Sequence, residues 1–228
     1  MRKKIFVALD NSEIKDALSI TNEIKNYIAG IKLGLEFFTK NGPKGVESFS
    51  NLNIPIFLDL KFFDIKNTVI KAIKTLDGLP INYLSIHLLN SKDTLLEAKN
   101  LVDNFSYPIK LLGITILTSF SEKNLKEIGI NNSLNKQIDI LTNLAKTTGL
   151  DGVVCSSNEI KLVKKICRDL EVFVPGIRLK ESADDQKRTS TPLQAINNGA
   201  DFLVIGRPIT VGNPLKNIKK IIDTLDQK

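Results

Sequence analysis

Three charged side chains stand close together in the run Phe57-Leu58-Asp59-Leu60-Lys61-Phe62-Phe63-Asp64. Two carboxylates flanking an ammonium favour the charged form of the lysine. Such a lysine can deliver a proton to a carbanion as it develops. An anionic substrate held against the same carboxylates is under electrostatic stress. The run reads as a strand, so Asp59 and Lys61 point to one side while Leu58 and Leu60 point to the other. Asp64 falls just past the strand end, where a loop can aim it back at the same pocket or at a neighbouring subunit. Alone, the pattern also suits a structural salt bridge. Its weight grows because the two preceding candidate strands also carry charges late, at Asp10 and Lys32. Burying the alternating set Lys32–Asp59–Lys61–Asp64 is costly unless it serves a function.

Elements that could gather these residues recur along the chain. Short β-branched runs predict eight strands: Ile5–Asp10, Ile28–Gly34, Ile54–Lys61, Tyr83–Leu88, Leu111–Thr118, Gly152–Ser156, Val172–Arg178 and Phe202–Gly206. Helix signals separate them. Asn11 or Ser12 can cap the first helix; Thr191-Pro192 opens a later one that Gly199 closes; Asn213-Pro214 opens the last. Eight βα units can close into a barrel or form an open doubly wound sheet. Polar residues fall late in most strands: Asp10, Lys32, Asp59, Lys61, His87, Thr118, Ser156 and Arg178. A barrel brings such ends to one face, which an open sheet does not. The expectation is therefore α/β, a single-domain (β/α)8 TIM barrel over residues 1–228.

Composition sets the surroundings. Apolar content is ordinary for a globular protein, and a chain of 228 residues can bury a large core. Cys155 and Cys167 are too few for a disulfide scaffold and sit in apolar runs, as core residues in a reducing compartment would. The apolar stretch Ile5–Leu9 is too short for a signal peptide or a membrane span, so a cytoplasmic location with no membrane partner is expected. The net charge of +7 is scattered. Its densest stretch, Lys161–Arg168, has helical spacing without interleaved aromatics and reads as a solvated helix face. With no tryptophan and few aromatics, nothing suggests a base-stacking surface, and no nucleic-acid partner is expected.

A phosphate site has its own signals. Barrels often hold phosphate with the loops after strands seven and eight and a helix N-terminus. Gly206 permits close backbone approach and Arg207 supplies a fork of donors, with Arg178 and Gln186 on or after strand seven.

The segment Asp59-Leu60-Lys61-Phe62-Phe63-Asp64-Ile65-Lys66-Asn67-Thr68 resembles the orotidine 5'-phosphate decarboxylase family, and the likeness extends along nearly the whole chain. Val7-Ala8-Leu9-Asp10, Ile31-Lys32-Leu33-Gly34, Leu117-Thr118-Ser119, Val174-Pro175-Gly176-Ile177-Arg178 and Gly206-Arg207-Pro208-Ile209 match further family motifs in order. The resemblance implies cofactor-free, metal-free decarboxylation of orotidine 5'-monophosphate. Lys61 would protonate C6 of the pyrimidine, and Asp59 would sit near the departing carboxylate. Lys32 would hold the charge network and contact the ribose, which Asp10 also binds. Thr118 would lie in the pyrimidine-binding region; Pro175 belongs to the strand-seven motif of the substrate site. Arg178, Gln186, Gly206 and Arg207 would hold the phosphate. Asp64 and Thr68 would reach into the partner's site, making a homodimer with shared active sites. Two places depart from the family pattern: Lys66 replaces a usual proline, and Leu88-Leu89-Asn90-Ser91 replaces a frequent glycine pair after His87. His87 itself reads as a satisfied rim or core histidine.

Other readings belong beside this one. A metal-dependent sugar-phosphate lyase or decarboxylase of the same barrel superfamily shares the Asp-x-Lys-x-x-Asp pattern. It would need an acidic metal ligand late in strand two, where this chain has Lys32; Glu36 lies four residues on. A catalytically inactive binding barrel would gain nothing from retaining a strained charge cluster.

Overall fold

The structure is a computed structural model that describes residues 3–10, 13–179 and 188–226. Eight parallel strands close into a barrel in sequence order. They are β1 Ile5–Leu9, β2 Gly30–Gly34, β3 Ile56–Phe62, β4 Tyr83–His87, β5 Lys110–Ile114, β6 Gly152–Val154, β7 Glu171–Val174 and β8 Phe202–Ile205. Around them lie helices α1 Ile14–Ile24, α2 Leu35–Glu47, α3 Lys66–Lys74, α4 Lys92–Asp103, α5 Glu122–Glu127 and α6 Leu134–Thr147. The circuit is completed by α7 Ile160–Ile166, α8 Pro192–Asn198, α9 Arg207–Thr210 and α10 Pro214–Asp226. The expected (β/α)8 architecture is the observed one.

Local signals act where expected. Thr191 and Gln194 form a capping box at α8, proline follows, and Gly199 ends the helix at a φ of 107°. Asn213 accepts the Lys216 N–H at 2.8 Å at the start of α10. The proposed caps Asn11 and Ser12 lie outside the described residues. The basic run near Lys161 is α7, which turns Ile160 and Val163 into the core.

Strand alternation divides the core in two. Side chains such as Val7, Leu33 and Leu58 face the helices. The complementary set, Phe6, Ala8, Phe57, Leu112, Phe173, Phe202 and Val204, fills the barrel interior. The Phe173 ring lies 4.8 Å from Phe202, 5.0 Å from Tyr83 and 5.3 Å from Phe6, centroid to centroid. Each such pair contributes about 0.5–1.5 kcal/mol beyond its buried area. Gly30 makes room for this aromatic floor, since a Cβ there would lie 2.4 Å from the Phe6 ring.

Several strands end sooner than the sequence suggested. β5 stops at Ile114, four residues before Thr118, and β7 stops at Val174, four before Arg178. The reason lies in the neighbours. The β5–β6 ladder ends at Ile114↔Val154 and the β7–β8 ladder at Val174↔Leu203, so the residues beyond leave the barrel sheet. Thr118, Ser156 and Arg178 therefore stand on loops above the barrel.

At the opposite end, polar side chains close alternate strands. Asn82 accepts the Ile56 N–H at 2.9 Å, Asp151 the Leu111 N–H at 2.8 Å, and Asp201 the Val172 N–H at 2.9 Å. Lys164 holds the Asp201 carboxylate at 2.7 Å. This face is far from the late-strand charges, and its role is stability. Asp201→Ala is expected to lower unfolding free energy by about 1–2 kcal/mol, the range for a lost charge-assisted hydrogen bond on a half-exposed group. Urea denaturation followed by circular dichroism checks this; an unchanged midpoint would mean that water replaces the carboxylate at no cost.

Candidate active site

Above the aromatic floor the inward positions change from apolar to charged. Along β3 the interior receives Phe57, then Asp59, then Lys61. Register places Lys32 beside Phe57 and Gly34 beside Asp59. The resulting chain of charges is continuous. Lys32 Nζ lies 3.0 Å from Asp10 Oδ1 and 3.7 Å from Asp59 Oδ2, and Lys61 Nζ lies 2.8 Å from the same Asp59 oxygen.

Burial alone would raise the Asp59 carboxyl. The charges of Lys32 and Lys61, with hydrogen bonds from Lys61 and Ser85, reverse that and hold it below the usual carboxylate range. Burial likewise depresses Lys32, but Asp59 and Asp10 overcome it and leave the ammonium above its ordinary value. Each charge is thus held in place by its neighbours.

Lys61 departs from simple alternation. Its φ is +52°, a conformation that costs a non-glycine residue about 1–2 kcal/mol. The β3–β4 register shifts between Leu58 and Phe62, as at a bulge. Ser85 on β4 holds this geometry: its hydroxyl accepts the Lys61 N–H at 2.9 Å and donates to Asp59 Oδ1 at 2.8 Å. Sequence reasoning passed over Ser85. The signal was available, since Tyr83 and His87 bracket it at strand spacing, and an inward Tyr83 implies an inward Ser85.

A cavity of about 740 Å³ opens over these charges. Asp10, Lys32, Asp59, Lys61, Thr118, Pro175, Arg178, Gly206 and Arg207, all expected from the sequence, line it together. A Cβ on Gly206 would come within 3.3 Å of Asp10 Oδ2, so glycine lets the β8 end pass close to this carboxylate. Gln186 lies outside the described residues.

Asp64 and Thr68 are not brought to this chain's own cavity. Both are exposed, and Asp64 accepts the Ile65 N–H at 2.7 Å. The tetrad foreseen as Lys32–Asp59–Lys61–Asp64 is, within one chain, Asp10–Lys32–Asp59–Lys61. Asp64 falls in the short segment between β3 and α3, where its carboxylate accepts from the backbone. Lys66, in place of the family's proline, pairs with Glu97 of α4 at 2.6 Å. Asn90, in the divergent fourth loop, donates to the carbonyls of Phe62 and His87, both at 2.8 Å.

The His87 ring lies tilted against Phe63, 5.7 Å between centroids, and its Nδ1 accepts the Leu89 N–H at 3.2 Å, as a rim histidine would. Burial, then the Lys61 charge, pushes its pKa down. Cys155 also lines the cavity, but burial pushes its thiol up to about 12, so it is no nucleophile at neutral pH. Both cysteines are free.

A closed eight-stranded barrel carrying a charged cavity above the C-terminal ends of its strands defines a (β/α)8-barrel enzyme. The profile of the orotidine 5'-phosphate decarboxylase / HUMPS family matches residues 3–221. A protein of Wolbachia pipientis subsp. Culex pipiens (strain wPip) named orotidine 5'-phosphate decarboxylase is 42% identical over 223 residues, covering 97% of this chain and 98% of that one. One of that name from Ehrlichia canis (strain Jake) is 43% identical over 97% of each chain. The crystal structure of orotidine 5'-phosphate decarboxylase from Lactobacillus acidophilus superposes with a TM-score of 0.83 at 31% identity, covering 99% of this chain and all of that one. The chain belongs to the orotidine 5'-phosphate decarboxylase / HUMPS family.

The hydrogen bond from Ser85 predicts a pH effect. Because Asp59 is depressed in the fold, its ionisation stabilises the protein above the unfolded carboxylate value, and this is lost as pH falls through the folded value. Ser85→Ala removes one stabilising donor and raises the folded value. Its acid unfolding should therefore begin at higher pH than in the wild type, alongside a loss of about 1–3 kcal/mol at neutral pH. Denaturation across an acid pH series checks both, and coincident acid limbs would show that Ser85 does not support the carboxylate.

Proposed function

We propose that this chain decarboxylates orotidine 5'-monophosphate to uridine 5'-monophosphate in de novo pyrimidine synthesis. The observation that carries this reading is the Asp10–Lys32–Asp59–Lys61 chain, set in a cavity also lined by Arg178 and Arg207. Arg178, Gly206, Arg207 and Gln186 hold the phosphate; Asp10 and Lys32 hold the ribose; Thr118 and Pro175 bound the pyrimidine. The substrate carboxylate then lies against Asp59, which is kept ionised. Repulsion between the two anions is relieved as carbon dioxide departs. The electron pair left on C6 takes a proton from the Lys61 ammonium, and solvent returns a proton to the amine.

Lys32 also speaks against the metal-dependent rival of the same barrel superfamily. Its ammonium occupies the space between Asp10 and Asp59 and already neutralises the carboxylates that would attract a cation. Activity on orotidine monophosphate is expected to survive excess chelator. Lys61→Ala should abolish turnover while circular dichroism and thermal unfolding show a folded protein. An ultraviolet assay measures both; loss on chelation restored by magnesium, or near-normal turnover of Lys61→Ala, would refute the reading.

We further propose a cytoplasmic homodimer in which Asp64 and Thr68 complete the partner's site. Among the described residues, no helix is long and apolar enough to cross a membrane. Beside Asp64, Phe63 and Ile65 are 60% and 73% exposed, and Leu89 and Leu96 are also uncovered nearby on the β4–α4 side. Such a patch of large apolar side chains suits burial against a second copy. Mixing inactive Lys61→Ala with inactive Asp64→Ala and allowing subunits to exchange should return about half the normal activity per mixed dimer, since one site collects both defects. Confirmed exchange without activity would place Asp64 in its own subunit's site.

A further inference from the structure

The segment that returns to the barrel ahead of α8 carries a buried ion pair that the reaction does not use. The Arg188 side chain is 11% exposed and that of its partner, Glu159, only 2%. One guanidinium nitrogen of Arg188 meets the Glu159 carboxylate. The other, Nη2, donates to two successive backbone carbonyls, Ile116 O at 3.0 Å and Leu117 O at 2.7 Å. Glu159 in turn accepts the Ser156 N–H and hydroxyl, each at 3.0 Å.

The backbone around Arg188 belongs to a small ribbon. Ile177 and Ser190 form a parallel bridge, the Arg178 N–H donates to Ser190 O at 2.9 Å, and the Ser190 N–H donates to Gly176 O at 3.2 Å. Arg188 therefore ties together three segments: the turn after β5, the end of β6 through Glu159 and Ser156, and the ribbon after β7. All three lie beyond the last ladder pairs of their strands, which are Ile114↔Val154 and Val174↔Leu203. All three also wall the cavity, through Ile116, Leu117, Thr118, Cys155, Gly176 and Arg178.

We propose that Arg188 is a positioning residue for substrate binding: it touches no substrate but sets Thr118 and Arg178 on their facing segments. The geometry requires a fork. Two adjacent carbonyls and a carboxylate must be met at once from one planar group, which a lysine ammonium on a flexible stem does not do. The Asp59–Lys61 array stands on β1–β3, outside this tie, so the loss falls on binding rather than on the chemical step.

This inference rests on the decarboxylase reading for its substrate, and wild-type turnover of orotidine monophosphate tests that reading separately. Arg188→Ala would strand a buried carboxylate and cost the fold. The test therefore uses Glu159→Gln/Arg188→Met, which removes both charges at similar volume, and Arg188→Lys, which keeps the charge but not the fork. Thermal unfolding establishes the temperature at which each is folded, and kcat and KM are measured there. The expected result is a KM raised about tenfold to a hundredfold in both, the scale of a lost charged hydrogen bond, with kcat within about threefold of wild type. A folded variant of either kind with KM within twofold of wild type, or with kcat reduced and KM unchanged, overturns the proposal. If the wild type itself does not turn over orotidine monophosphate, it is the functional reading that fails.

Discussion

Asp59 is a carboxylate only 7% exposed inside a protein, and burying it uncompensated would cost several kcal/mol. It is tolerated because both oxygens are engaged. Oδ2 lies near two ammonium groups and Oδ1 accepts from Ser85. That single requirement constrains four strands. β2 must present Lys32 next to β3, β1 must end with Asp10 within reach of Lys32, and β4 must place a hydroxyl opposite. The backbone must then turn at Lys61 so that its own N–H meets that hydroxyl. The left-handed conformation of Lys61 is strain held by this network, at the residue proposed to donate the proton.

The barrel interior sharpens the effect of these charges. Below them, Phe57, Phe173, Phe6 and Phe202 exclude water and offer little dielectric screening. The change from ring to carboxylate to ammonium takes place along one face of β3, within Phe57, Asp59 and Lys61. An apolar floor beneath a charged ceiling is what allows a strained ion cluster to be stable in the fold yet directed at a ligand above it.

Beyond the last ladder pairs the cavity walls depend on side chains rather than on sheet hydrogen bonds. Asn90 clips the fourth loop to the end of β3 at Phe62, and Arg188 clips the fifth, sixth and seventh segments together. Polar side chains buried among loops are costly unless satisfied, and here their partners are mostly backbone carbonyls. The walls thus inherit rigidity from a few long-range contacts, while the floor inherits it from packing.

What the sequence determined by itself was everything carried by short-range periodicity and chemistry. Alternation put Asp59 and Lys61 on one side, Thr191-Pro192 and Gly199 bounded α8, and the recurrence of βα units implied the barrel. Resemblance along the chain supplied the family and, with it, most residues of the cavity wall. Only the tertiary structure decided where strands stop, because a ladder ends when its neighbour does. Pairing of β3 with β4 brought Ser85 to Asp59 across 26 positions, and packing of the segments above the barrel brought Arg188 to Ile116 across 72. Within one chain Asp64 is exposed and does not line the cavity, and its expected reach into a partner's site is a property of two chains. Local propensity is a property of a few neighbouring residues, whereas these pairings are set by which strands the closed sheet makes adjacent, and no pattern within either segment encodes that.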